Sequence, residues 1–240
     1  MLERIGKEAE ELKIYQGVFD NYTFKTLIEL ADKKYFRTLD YPISTGKEAD
    51  VYRATMTDGK HRAIKIYRIE TSNFRNMYRY LAGDVRFSNV KKNRRSIIKT
   101  WCQKEYRNLS DMKKAGIGVP FPYKFLNNVL VMEFIGEEGI AAHMLTKYKP
   151  KHPEKLIEKL TGYIRSMYQK ANLVHGDFSE FNIMMIGEKP CLIDVSQAMR
   201  TEHVTAESLL KRDIHNLARL ARKYGVGFDE QKVYDSTVRR

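Results

Sequence analysis

One short stretch of this chain carries residue types that can transfer a phosphoryl group. It runs His175-Gly176-Asp177-Phe178-Ser179-Glu180-Phe181-Asn182, and Asp194 follows within Leu192-Ile193-Asp194-Val195-Ser196. An Asp and an Asn at this spacing are typical of a catalytic loop in which the Asp faces an acceptor hydroxyl and the Asn binds a metal ion. The alternative is a polar loop with an Asp helix cap, because Asp and Asn are common loop residues.

Two short apolar runs separate Asn182 from Asp194 and predict a β-hairpin. They are Ile183–Ile186 and Cys191–Ile193, joined by the turn-forming sequence Gly187-Glu188-Lys189-Pro190. This hairpin would return Asp194 to the side of Asn182. A carboxylate and an amide oxygen placed together suit Mg²⁺, which shares its remaining positions with phosphates and water. We therefore expect Asn182 and Asp194 to bind Mg²⁺, with Mn²⁺ as the other candidate ion.

A buried lysine is predicted in the first half of the chain. The turn Ser44-Thr45-Gly46-Lys47 precedes one strand, and Arg62-Ala63-Ile64-Lys65-Ile66-Tyr67 is the strand that returns. The Lys65 ammonium, flanked by apolar residues, needs an anionic partner, and nucleotide phosphates under the turn at Ser44 and Lys47 would supply one. The turn has a single glycine and matches a Gly-rich phosphate loop poorly. A surface hairpin with an outward Lys65 is the alternative.

A long helix supplies a partner for that lysine. The pattern predicts a helix over Lys99–Ala115, closed by Gly116, with Glu105 on its apolar face. A buried acid needs a cation, so we predict an ion pair between Lys65 and Glu105. A Glu at a helix edge that makes only local pairs is the alternative.

The segment Val131–Gly136 predicts the connection between two lobes, and clefts between lobes commonly bind ligands. Adenine would hydrogen-bond to backbone groups of Glu133 and Ile135, beneath Met132. The alternative is an ordinary interior strand.

The composition sets wider limits. A content of 42% hydrophobic and 11% aromatic residues predicts a globular protein. No apolar run approaches the ~18 residues of a membrane span, so we expect no membrane association. Cys102 and Cys191 both lie in apolar segments, which favours reduced core cysteines in a cytoplasmic protein. The net charge of +13 favours a polyanionic partner, with nucleic acid or a ribonucleoprotein as the natural one.

These elements predict an α+β fold of two lobes. Residues 1–40 would form a helical extension on the N-lobe, and 41–135 the N-lobe itself, a β-sheet with the helix 99–115 and a mobile basic insertion at 84–98. Residues 136–240 would form a reduced C-lobe with the catalytic and metal loops. The sequence leaves the oligomeric state open, a homo-oligomer included.

In order, the turn, Lys65, Glu105, the lobe connection, Asp177, Asn182 and Asp194 resemble the parts of a protein kinase. Gly176 stands where ordinary kinases have Arg, Val195-Ser196 where they have Phe-Gly, and no Ala-Pro-Glu follows. Only 46 residues follow Asp194, too few for the usual peptide-docking helices.

These features resemble the RIO family of atypical kinases, its type-one branch in particular, in an archaeal-like form. The resemblance runs from about Tyr22 to Lys223, and Ile193-Asp194-Val195-Ser196-Gln197 is its most specific element. The other segments that carry it are Ser44–Tyr52, Ile64–Tyr67, Lys104–Leu109 and His175–Asn182.

The resemblance implies an ATP- and Mg²⁺-dependent serine/threonine kinase or ATPase that acts in late maturation of the small ribosomal subunit, with rRNA and ribosomal proteins as partners. It also implies transient phosphorylation of Asp194 during turnover, and autophosphorylation on a serine. Two other functions stay open. One is a small-molecule phosphotransferase of the aminoglycoside or choline kinase type, and the other a non-catalytic ribosome-binding scaffold that senses nucleotide.

Overall fold

The computed structural model describes residues 19–70, 74–87 and 90–239. Its N-terminal lobe is built on a five-stranded antiparallel sheet with the strand order β1-β2-β3-β5-β4. The two central strands, His61–Tyr67 and Val129–Glu133, are buried along most of their length, as expected for strands covered on both faces of a sheet. Its strands are β1 Thr38–Thr45, β2 Ala49–Thr55, β3 His61–Tyr67, β4 Pro122–Leu126 and β5 Val129–Glu133.

Helix α1, Asn21–Asp32, packs on one face of this sheet. Its Leu27 and Leu30 belong to a buried cluster with Ile64 and Val131 of the central strands. The helix begins at Asn21 because the Asp20 side chain accepts hydrogen bonds from the backbone N–H groups of Tyr22 and Thr23. The rest of the predicted helical extension, residues 1–18, lies outside the described residues.

The other face of the sheet is covered by α3, Arg94–Lys114, and α2, Phe74–Ala82, packs against α3. Here the structure corrects the sequence-based boundaries. The helix predicted to begin at Lys99 starts at Arg94, because the Asn93 side chain caps it by accepting from the Ser96 N–H at 2.9 Å.

The segment predicted as an insertion with few core residues also contains packed residues at both ends. Asp84 is buried beside Arg86, and Phe87, Ile97 and Ile98 are buried in the core. Because most side chains of this segment are basic, its sequence pattern does not reveal the few apolar residues that order it. Residues 88–89 lie outside the described part of the chain.

The C-terminal lobe is mainly helical, with α4 Pro153–Ser166, α5 Ala206–Lys223 and α6 Glu230–Val238. The first of these helices continues into a π-helical turn at Met167–Ala171, and Asn172 ends it with a left-handed backbone at φ 52°. Short strands connect the helices: β6 Gly136–Glu137, β7 Ile140–Ala141, β8 His143–Met144, β9 Leu173–Val174, β10 Ile183–Ile186, β11 Lys189–Leu192 and β12 Met199–Arg200.

A single buried cluster joins the two lobes. It includes Trp101 and Leu109 of α3 together with Phe178 and Ile183, in and after the loop 175–182, and Ile214 of α5. Close-packed interiors transmit position from one element to the next, so this core fixes the loop relative to the sheet. Among the described residues, no helix combines the length and the apolar character needed to cross a bilayer.

Candidate active site

Lys65 is the centre of the site, and two carboxylates hold it. Its Nζ donates to Glu105 Oε1 at 2.7 Å and to Asp194 Oδ1 at 3.1 Å. Glu105 also accepts from the Tyr67 hydroxyl at its other oxygen. The predicted ion pair between Lys65 and Glu105 is therefore confirmed, and Lys65 does not point outward into solvent.

The charges of this group follow from its burial. Desolvation by itself would lower the pKa of Lys65, but the Asp194 and Glu105 carboxylates outweigh it and raise that pKa above its ordinary value. Lys65 lowers the pKa of Asp194. Burial raises the pKa of Glu105, which has one cation beside it and a second carboxylate nearby. The Lys65 ammonium thus pairs with both the Glu105 and the Asp194 carboxylates, and it stays charged at neutral pH.

Asp194 lies where the β10–β11 hairpin returns the chain to Asn182. The Ile193 N–H donates to the Asn182 carbonyl oxygen at 2.9 Å, as the hairpin pattern predicts. Asp194 adopts a left-handed backbone conformation at φ 54°, which a residue other than glycine takes only where its surroundings enforce it. Its side chain is 52% exposed, and Ser196 Oγ donates to Oδ1 at 2.9 Å.

Two side chains of α3 hold the backbone that follows Asp194. Lys104 Nζ donates to the carbonyl oxygens of Ser196 at 2.7 Å and Ala198 at 2.6 Å. Asn108 Nδ2 donates to the carbonyl oxygens of Val195 at 2.9 Å and Ala198 at 3.2 Å. Both side chains are fully buried, so this loop cannot move without breaking buried hydrogen bonds.

The loop 175–182, which carries Asp177, is held in place by side chains of α5. Asp213 is buried and accepts from the backbone N–H of Gly176 at 2.8 Å and of Phe178 at 3.0 Å. Arg212 donates to the Gly176 carbonyl oxygen. Burial raises the pKa of Asp213. Both backbone neighbours of Asp177 are therefore fixed, while Asp177 itself is exposed.

Asn182 meets Asp177 directly. Its Nδ2 donates to both the Asp177 carbonyl oxygen and Oδ2, each at 2.9 Å. The amide nitrogen is used in this way, and the amide oxygen is left as an acceptor for another ligand.

A cleft of about 570 Å³ between the lobes collects most of the predicted site residues. Glu105 and Asp177 are not part of its lining, but Glu105 reaches it through Lys65, and Asp177 through Asn182. The residues predicted for the site that line the cleft are Ser44, Lys47, Lys65, Met132, Glu133, Ile135, Asn182 and Asp194.

The lobe connection leaves a limited set of backbone groups for a ligand. The Glu133 N–H donates to the Phe121 carbonyl oxygen at 2.8 Å, and the Ile135 carbonyl oxygen accepts from the Ala142 N–H at 2.9 Å. A planar base at this edge would therefore use the Glu133 carbonyl oxygen and the Ile135 N–H.

Three residues of the site carried no predicted role: Lys104, Asn108 and Asp213. Each is a polar residue on a buried helix face, and that is the signal that identifies them. Lys104 and Asn108 are four residues apart on α3, and Asp213 lies between the buried Leu209 and Leu217 of α5. Burial of such groups requires partners, but the partners are too distant in sequence to be named from it.

The chain is similar to known proteins along most of its length. A family model of the RIO domain matches residues 50–233. The RIO-type serine/threonine-protein kinase Rio1 of Haloferax volcanii is 38% identical over 229 residues, covering 95% of this chain and 79% of that protein. The Rio1 kinase of Methanocaldococcus jannaschii is 37% identical over 235 residues, covering 98% and 80%.

Among solved structures, the Rio2 kinase of Chaetomium thermophilum in its complex with ADP, Mg²⁺ and phosphoaspartate is similar with a TM-score of 0.69. The sequence identity is 21%, and the likeness covers 90% of this chain and 66% of that chain. At this identity the likeness concerns the fold alone, and it confirms the predicted kinase-like fold.

Proposed function

This chain belongs to the RIO family of serine/threonine kinases, and on that premise we propose how it binds ATP and transfers the γ-phosphoryl group. The observation that carries the proposal is the position of the Lys65 ammonium. It lies at the cleft between Glu105 and Asp194, at 2.7 and 3.1 Å. Glu105 holds the ammonium in place, and a divalent ion bound at Asp194 would leave the ammonium free to donate to the phosphates of a nucleotide.

The cleft offers a place for each part of ATP. Adenine would bond to the backbone of Glu133 and Ile135 beneath Met132, and the turn with Ser44 and Lys47 would cover the phosphates. Lys65 would contact the α- and β-phosphates. Phosphoryl transfer depends mainly on positioning and charge neutralisation, and these residues supply both.

The residues also fit a hard divalent ion. Asn182 retains its amide oxygen, and Asp194 gives only Oδ1 to Lys65 and Ser196, so that Oδ2 is available. Oxygen ligands of this kind suit Mg²⁺, and Mn²⁺ takes a similar set. When bound, the ion would neutralise charge on the β- and γ-phosphates.

Asp177 would orient the acceptor hydroxyl and accept its proton. Its exposed side chain is reachable by a serine of a protein substrate, and the hydrogen bonds that the Gly176 and Phe178 N–H groups donate to Asp213 hold it in position. Asn182 fixes its carboxylate by donating to Oδ2. A positioned base of this kind typically contributes 10²–10⁴-fold to a rate.

Asp194 provides a second, hydrolytic route. Attack of Asp194 Oδ2 on the γ-phosphorus would form an acyl phosphate as the bond to the bridging oxygen breaks and ADP leaves. Water would then cleave that acyl phosphate to restore the carboxylate and release inorganic phosphate. The half-exposed side chain of Asp194 supports this step, and so does the phosphoaspartate in the similar Rio2 structure.

The partner that we propose is the maturing small ribosomal subunit, with its rRNA and ribosomal proteins. The net charge of +13 supports a polyanionic partner. We propose action in the cytoplasm.

One experiment separates the reactions. The purified protein is incubated with γ-labelled ATP and Mg²⁺, with and without small ribosomal subunits. Label on serine identifies a kinase, hydroxylamine-sensitive label on Asp194 identifies the acyl phosphate, and label only in free phosphate identifies an ATPase without a stable intermediate. Label on an added aminoglycoside or choline would instead favour a small-molecule phosphotransferase. The absence of any turnover would favour a non-catalytic scaffold.

The control variant is Asp177→Ala, which should lose several orders of magnitude in turnover while ATP binding largely survives. Unchanged turnover in this variant would remove Asp177 from its proposed role.

A further inference from the structure

Two grooves lie away from the nucleotide cleft and meet at Lys113. One, of about 700 Å³, runs between α3 and the start of β4, and the other, of about 510 Å³, lies behind the lobe connection against α4. Together they extend from one lobe to the other. We name this surface the Lys113 track and define it by six basic residues, which are Arg107, Lys113, Lys114, Lys155, Lys159 and Lys189. Arg86 also lines the first groove, but it is paired with the buried Asp84.

Two of the three acids of these grooves lie beside a cation, and the third, Glu188, is hydrogen-bonded only to neutral groups among the described residues. Asp111 lies 3.8 Å from Arg86, Glu133 lies 3.4 Å from Lys113, and Glu188 accepts from the Tyr148 hydroxyl at 2.6 Å. Within the described part of the chain, the other five basic residues of the track have no carboxylate within 4.0 Å of their charged nitrogens. The track therefore presents an excess of uncompensated positive charge.

Aromatic faces accompany this charge. Phe121 lines the first groove with 46% of its surface exposed, and it packs against Tyr123, which is 37% exposed, with ring centroids 5.0 Å apart. The Arg62 guanidinium lies 4.0 Å from the Tyr123 ring centroid. Adjacent exposed aromatic rings form a contiguous apolar surface of the kind that can mark an interaction site.

We propose that the Lys113 track binds single-stranded nucleic acid. Unpaired bases stack on aromatic rings, while a line of basic residues follows the phosphates, and this surface combines both. An acidic protein segment would use the charge but has no flat rings to place on Phe121. A rigid duplex keeps its bases stacked inside and would leave the aromatic pair unused.

The track is separate from the phosphoryl-transfer residues, although Glu133 and Ile135 line both the nucleotide cleft and the groove behind it. The track would be the surface that contacts the polyanionic partner of the proposed function. The binding proposal rests on that function only for its biological context. Binding is therefore measured without nucleotide, so that a failure here leaves the kinase assignment untouched.

The first measurement is fluorescence anisotropy with labelled oligonucleotides of about 12 nucleotides, as RNA and as DNA, over a range of salt. Each phosphate contact on a single strand contributes about 0.7 to the slope of log affinity against log salt. The double variant Lys155→Ala, Lys159→Ala should thus lower the slope by about 1.4. A matched control, Lys25→Ala, Arg222→Ala, changes the net charge equally at exposed residues off the track and should leave the slope unchanged.

The second measurement tests stacking. Phe121→Ala should weaken binding about 5- to 150-fold, the range that loss of one stacked base gives. Tyr41→Ala removes a ring of similar exposure, 47%, on β1, and should have no effect. If RNA and DNA bind equally, phosphate contacts and base stacking determine the affinity. If RNA binds more tightly, the surface also contacts the 2′-hydroxyl.

Three results would overturn the proposal. They are equal losses in the two double variants, equal losses in the two aromatic variants, or equally tight binding of an acidic peptide of the same net charge. The first would assign binding to overall charge, and the other two to a surface without base recognition.

Discussion

The Lys65 ammonium donates to Asp194 Oδ1 at 3.1 Å, although 129 positions separate the two residues in the chain. Lys65 comes from the sheet of one lobe, and Asp194 from a hairpin of the other. The contact therefore links the two lobes across the cleft through the charge of one side chain. It weakens if the lobes move apart, so opening of the cleft costs electrostatic energy.

Replacement of Lys65 tests the buried pair. Lys65→Met should destabilise the fold by roughly 3–5 kcal/mol, because it leaves Glu105 buried without its cation. ATP affinity should also fall. Denaturant unfolding and nucleotide titration measure the two effects.

The double variant Lys65→Met, Glu105→Met serves as the control for this test. It should recover most of the lost stability, because replacement of a buried pair by apolar residues is often neutral, but it should not recover ATP affinity. Full recovery of nucleotide binding would contradict the role of Lys65 at the phosphates.

Lys104 predicts a pH dependence of stability. Burial lowers its pKa to about 7, whereas a lysine in the unfolded chain titrates near 10.4. Between these values the unfolded chain binds more protons, so stability rises with pH. Relative to Lys104→Met, the wild type should gain up to about 1.4 kcal/mol per pH unit from about pH 7 to about pH 10.

Urea unfolding across that pH range measures this gain. Lys114→Met, at an exposed lysine of the same helix, should unfold in parallel with the wild type at every pH. Parallel curves for Lys104→Met as well would show that Lys104 titrates near its ordinary value.

Asp213 should act through the position of Asp177 and not through substrate contact. Asp213→Asn weakens the acceptor of the Gly176 and Phe178 N–H groups, and a displacement near 1 Å can cost about 10² in rate. We expect kcat to fall about 10- to 100-fold with little change in the KM for ATP. Asp32→Asn, at an exposed aspartate of α1, is the control, and a rise in KM without a fall in kcat would contradict a positioning role.

Metal dependence follows from Asn182. Removal of divalent ions with a chelator should abolish turnover, and Mg²⁺ or Mn²⁺ should restore it. Asn182→Leu keeps the branched shape of the side chain but removes the amide group with its oxygen, so the Mg²⁺ concentration at half-saturation should rise by at least about tenfold. A variant that saturates at the wild-type Mg²⁺ concentration would show that Asn182 is not a ligand.

Much of the site was readable in sequence because its residues lie in short segments with distinct patterns. The spacing of Asp177 and Asn182, the hairpin before Asp194, and Lys65 inside an apolar strand each reflect local backbone structure. The ion pair of Lys65 with Glu105 followed from a general constraint, since two buried charges of opposite sign each require a partner.

The start of α3 was less accessible. The cap at Asn93 and the buried Ile97 and Ile98 are surrounded by basic residues, and that charge made the segment look like a loop. Local composition gave the wrong boundary because burial of a few apolar side chains outweighs the cost of ordering the charged ones.

The amino-acid sequence by itself determined the kinase-like family, the order of the lobes and the chemistry of the cleft, because these depend on residue types at short range. Only the tertiary structure decided what holds that chemistry in place. Lys104 and Asn108 reach the loop after Asp194, and Asp213 reaches the loop around Asp177, across 35 or more positions of sequence. Contacts of that kind are set by how helices and loops pack in three dimensions, and no local pattern encodes the partner of a buried polar group.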